Sequence, residues 1–315
     1  MFKSGLFAMI GLTALVSGAP AAAEPGLQIR NAAIRLTVIP EDRADILVEP
    51  ARLDGMAPVT VSRQGDQVIV EGRAVAVACW GGAGASGVRL GWLVPVPEAS
   101  LPHIVVHMPR DVVISARNGA VFGQVGATRT LRMGISSCGR LAVGDVGERL
   151  AINSAGSASI HGGQAGRADL RLAGSGDISL GRVQGDLAAN VSGSGDLIAD
   201  SARSAAVDVS GSGDVRVGAV REGLRTSIQG SGDVSAAVAD GPVEARIIGS
   251  GDIRVRQGRA TRLRAEIIGS GDIFYGGEAD TLQAFIAGSG DIRVRKVDGT
   301  VERQVRGSGS VRIGD

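Results

Sequence analysis

Hydrophobic and polar residues alternate in short runs along the C-terminal two thirds of the chain, and the alternation restarts every 18 to 20 residues on one signal. Gly-Ser-Gly-Asp opens at Gly174, Gly193, Gly211, Gly230, Gly249, Gly269 and Gly288, and Gly307 opens the variant Gly-Ser-Gly-Ser. Weaker copies precede these at Gly156-Ser157-Ala158, Ser137-Cys138-Gly139 and Arg117-Asn118-Gly119, giving about eleven units. Because a strand sends alternate side chains to opposite faces, aligning the eight clear copies shows which residues point inward. Positions six and two before the first glycine, and one and three after the fourth motif residue, are hydrophobic in all 32 cases, as in Leu263, Ile267, Ile273 and Tyr275. The position three before the glycine is polar in every copy except Phe285.

Each unit thus reads as a strand, a sharp corner, a second strand and a return segment with room for a third. So short a unit cannot bury its apolar face alone, whereas stacked units share one continuous core. The pattern predicts an all-β fold: a β-solenoid (single-stranded β-helix) of about eleven coils of 18–20 residues, with a strand-rich N-terminal portion. Glycine at the corner fits a bend that requires positive φ. Residues 24–110 lack the motif but read as strands over 27–39, 45–48, 59–62, 67–71, 88–94 and 104–108, with a glycine-rich loop flanked by Trp80 and Trp92. The expected organisation is a signal peptide over 1–23, an all-β portion over 24–110 and solenoid repeats over 111–315.

The leader reading rests on Lys3, a short apolar run and Ala21-Ala22-Ala23 before Glu24; the run is well short of the ~20 residues a retained transmembrane helix needs, and no later stretch comes close to that length. Removing it takes the net charge from +1 to zero, which argues against a nucleic-acid or polybasic membrane-surface binder. With 49 glycines and 3% aromatic residues, the core must be aliphatic. The two cysteines, Cys79 and Cys138, favour a disulfide in an exported chain, two unpaired thiols being the alternative.

The repeated Gly-Ser-Gly-Asp-Ile/Val, behind a leader and a strand-rich segment ending in His107-Met108-Pro109-Arg110, resembles the head-GIN-domain family of auto-transporter adhesins. That resemblance covers roughly residues 27–313. It implies an exported β-helical protein and brings no catalytic residues with it. In one respect the chain departs from an auto-transporter, since no membrane β-barrel is expected after the repeats.

The repeat itself places candidate chemistry in two ladders. The corner acids Asp177, Asp196, Asp214, Asp233, Asp252, Asp272 and Asp291 stack one per coil, where neighbours ~4.8 Å apart repel. Corner amides bonding each carboxylate in an Asx-type turn would offset this; calcium along the ladder is the alternative. Beside it stand Arg216, Arg254, Arg256, Arg293, Arg295 and Arg312, which either neutralise the acids or form a groove for an anionic polysaccharide or another envelope component. Arg225, Glu244 and Arg264 alternate in sign down another column. No metal-binding spacing links His103, His107 and His161, no nucleophile elbow is found, and neither cofactor nor metal site is expected. The favoured function is an exported, non-enzymatic interaction or structural module, periplasmic or on the cell surface. The alternatives are a β-helical carbohydrate-active enzyme and a calcium-binding repeat protein. A mainly monomeric state is expected, with Arg303 placing a charge toward the core column of the last coil as a guard against strand addition.

Overall fold

The computed structural model describes residues 25–49, 58–73, 77–82, 85–90 and 94–314. The leader, Trp92 and the centre of the glycine-rich loop lie outside the described residues, and the strand expected over 88–94 is described only in part.

The chain forms a parallel β-solenoid of about eleven turns. Most coils hold two strands, one on each of two parallel sheets. One sheet runs from Val146–Ser154 to Val301–Gly307 and the other from Ser157–Gly162 to Val311–Ile313. Register follows the repeat: Leu263 lies between Val243 and Leu282, and Ile273 between Ile253 and Ile292. All the aligned interior positions are buried except Val301, Val305, Val311 and Ile313 in the last described turn, where no described coil covers them from the far side.

Two further interior columns complete the core. The position four before the glycine is buried from Leu170 to Ala284, and the return segment contributes Val183, Ala202, Val220, Ala239 and Ala279. Small residues in these columns leave room for Leu, Ile and Val in the others, at the close packing that interiors require. The largest fully buried side chain is Tyr275, 1% exposed, whose hydroxyl donates to the Ala239 carbonyl at 3.0 Å. Burial pushes its phenol well above the ordinary range.

The first layers are built differently. Strand Gly26–Glu41 stacks in parallel on Asp111–Val125, from Leu27 opposite Ile114 to Val38 opposite Val125. On its other side lie Gln67–Gly72 and His103–Pro109, also parallel. The chain therefore leaves the layer of Gly26–Glu41, lays two strands over it and returns beneath it, while Ile46 and Val59 join the core at this end. Here single asparagines turn the corner. Asn31 and Asn118 adopt φ of 50° and 53°, a left-handed conformation that asparagine tolerates, and Asn118 Nδ2 donates to Asn31 Oδ1 at 3.2 Å.

A small antiparallel sheet of Val77–Gly82, Ala85–Leu90 and Val94–Pro97 packs on the outside of these layers. Its Val88 and Val96, with Leu101, cover the outward-facing Ala33, Ala120, Phe122 and Cys138. A Cys79–Cys138 disulfide, with its Cα atoms 5.8 Å apart, ties this sheet to the solenoid.

Candidate functional site

The corner shows why its letters recur. A Cβ on the second glycine of a motif would collide with the carbonyl oxygen of its counterpart one coil earlier, as Gly251 would with Gly232. Close stacking, more than φ, excludes a side chain there. At Gly249, the first glycine of that motif, both reasons apply: φ is 139° and the space is filled by Gly230.

The seven aspartates do form a ladder, and its bonding runs between coils rather than within a local Asx turn. Oδ1 of Asp177 accepts the Asp196 backbone N–H at 3.0 Å, and the same bond recurs through Asp196, Asp214, Asp233, Asp252 and Asp272 at 2.8 to 3.0 Å. Asp291 closes the series, accepting the Ser310 N–H at 2.9 Å and the Ser310 hydroxyl at 2.8 Å. The Ser310 hydroxyl is the main cause holding the Asp291 carboxyl below its usual range. A hydrogen bond from an amide stabilises the charged carboxylate and so offsets repulsion between neighbours.

The arginine ladder divides in two. Arg216 reaches Asp214 at 3.1 Å and Asp196 at 3.5 Å; Arg293 and Arg312 both meet Asp291, at 3.3 and 3.6 Å; Arg295 meets Glu278 at 3.3 Å. Arg254 and Arg256 have no ion-pair partner among the described residues. These two line a trough of about 450 Å³ with Asp200, Arg216 and Ser235. In the alternating column Arg225 meets Glu244 at 3.1 Å, while Arg264 stands without an ion pair among the described residues. Arg303 is exposed, which corrects the expectation of a charge forced toward the core: in the last described turn the inner position opens to solvent.

Sequence reasoning missed the chemistry of the first layers, because it arises from strands far apart in the chain. His107 is the clearest case. Its Nδ1 lies 2.7 Å from Glu41 and its Nε2 2.8 Å from Glu49, so both ring nitrogens face carboxylates. The hydrogen bond to Glu49, then that to Glu41, raises the His107 pKa above its ordinary value, and His107 in turn lowers that of Glu41.

The profile of the family described as "Putative auto-transporter adhesin, head GIN domain" matches residues 101–237 and 234–315. The chain belongs to this family. No curated protein matches it. A solved structure described as a putative lipid binding protein from Parabacteroides distasonis is similar over 94% of this chain and 95% of that one, at 16% identity and a TM-score of 0.30. Among the described residues no helix is long and apolar enough to cross a membrane.

Proposed function

We propose that this head GIN protein is an exported, non-enzymatic interaction module that holds anionic envelope polysaccharide along its second sheet. The observation that carries this reading is the pair Arg254 and Arg256. They project from one strand, two residues apart, and lack the carboxylate partners that occupy Arg216, Arg293, Arg295 and Arg312. Guanidiniums left free beside a shallow trough suit carboxylates or phosphates repeated along a polymer. The family's description as an adhesin supports an interaction role over catalysis. Calcium along the aspartate ladder is disfavoured, because one oxygen of each carboxylate already accepts an amide.

Retention on immobilised polygalacturonate, with neutral dextran as the control, tests the proposal. The expected result is salt-sensitive retention on the acidic polymer alone, weakened about tenfold in Arg254→Ser/Arg256→Ser. Equal retention on dextran, or by the double variant, would overturn it.

A further inference from the structure

The aspartate column does not end at Asp177. Following its register toward the N-terminus, the same outward position is held by Ser159, Arg140, Phe122, Arg35 and His103 in successive layers. A column that is anionic in seven coils therefore carries two guanidiniums, Arg140 and Arg35, in the first layers. The adjoining outward column brings Thr37, Gln124, Ala142 and His161 alongside.

All of these but Ser159 line a cleft of about 570 Å³ on the outer face of the first layers, bordered by Glu98 just after the small sheet. Its basic side chains are the guanidiniums of Arg35 and Arg140 and the imidazoles of His103 and His161, and none of them is ion-paired among the described residues. Elsewhere in the solenoid, stacked charges are commonly matched: Arg149 with Asp169, Arg167 and Arg203 with Asp186, and Arg246 with Glu266. The one carboxylate lining the cleft, Glu98, accepts the Ser86 hydroxyl instead. Arg35 and Arg140 flank Phe122 in this column and face the cleft without a counter-charge, an arrangement set up for an anion from outside.

The cleft is also preformed. Phe122 is 3% exposed beneath Leu101, Arg35 Nε donates to the Leu101 carbonyl at 3.4 Å, and His103 Nε2 lies 3.0 Å from Thr37 Oγ1. A preformed concavity with a few convergent polar groups is the usual setting of a ligand site.

We infer that this cleft binds a single anionic group, a carboxylate or a phosphate, between Arg140, Arg35 and the two histidines. The site is separate from Arg254 and Arg256, and the inference stands whether or not those arginines hold a polymer. Calorimetric titration of the whole protein with galacturonate and with inorganic phosphate tests it, galactose serving as the neutral control. We expect one saturable site for at least one of the anions and none for galactose. Arg140→Ser and His161→Asn, both at exposed positions, should each weaken binding, the first by at least tenfold at an unchanged melting temperature, while Arg254→Ser/Arg256→Ser binds as the parent does. The two anion arms identify which chemistry the cleft prefers. Absence of binding by the parent, equal binding of galactose, or parent-like affinity in both cleft variants would overturn the inference.

Discussion

The repeat coils and the first layers solve the same problem with different chemistry. From Gly174 to Gly288 each corner is Gly-Ser-Gly-Asp, its second glycine stripped of a side chain by the coil before it and its aspartate bonded to the amide of the coil after it. In the first layers a left-handed asparagine turns the corner, the aspartate register carries cations, and a separate small sheet covers the outer face. Repetition makes the first solution stable but uniform, since every position must suit its copies above and below. Freed from that constraint, the first layers can gather groups that do not recur, and the cleft around Arg140 and the His107 cluster both lie there.

Experiments can break this comparison, the largest effect first. In the repeat region, Ile253→Asp should cost about 3 kcal/mol or more, whereas Arg254→Asp should leave stability nearly unchanged, because only Ile253 (1% exposed) points into the core. Equal melting temperatures for the two variants would falsify the register. Next come glycines from the two regions. Gly251→Ala drives a methyl into the Gly232 carbonyl and should cost about 1–3 kcal/mol, while Gly134→Ala, with open space around its Cβ, should be neutral or slightly stabilising. Similar losses at both sites in denaturant titrations would show that coil stacking does not set the glycine requirement.

A smaller effect separates hydrogen bonding from charge in the ladder. Asp233→Ala removes the acceptor of the Asp252 N–H and should cost about 1 kcal/mol. Asp233→Asn keeps an oxygen there and relieves repulsion, so it should match or exceed the parent in stability, and added calcium should leave the parent's melting temperature unchanged. A large calcium-dependent rise would favour the metal reading.

The gentlest test concerns pH. The folded His107 pKa is raised, so its contribution to stability is fully present below the ordinary histidine value and is lost as pH rises through the raised one. Asp111, Asp186 and Asp291 are shifted down, by Arg129, Ser204 and Ser310 respectively as the main causes. Their contributions are present above the ordinary aspartate value and are lost as pH falls through the lowered ones. His107→Gln should therefore flatten the alkaline side of a stability profile; on the acid side it should remove only the contribution of Glu41 and leave those of Asp111, Asp186 and Asp291. An unchanged alkaline limb would remove His107 from the account.

Legibility in the sequence tracks the two regions. The interior columns from Ala168 to Val294 could be read because period-two alternation and a fixed repeat length leave one way to stack them. The aspartate ladder was legible for the same reason. Its partner was not: the amide that each Oδ1 accepts lies 18 to 20 residues onward, and only coil stacking brings the two together. The six arginines of the expected ladder are alike in sequence, yet Arg216 is held by two carboxylates and Arg254 by none among the described residues.

What the sequence alone determined is the periodic part: the fold class, the inward columns and the corner letters, all of which are local patterns copied many times. Tertiary structure decided whatever joins residues that share no pattern. Strand Gly26–Glu41 sits between His103–Pro109 and Asp111–Val125, and that placement sets Arg35 beside His103 and Phe122. No alternation of polar and apolar residues encodes such a juxtaposition, because it depends on the path by which the chain crosses its own first layer. Charge pairing shares that dependence, since a guanidinium is free or engaged according to which carboxylate the stacking brings within reach.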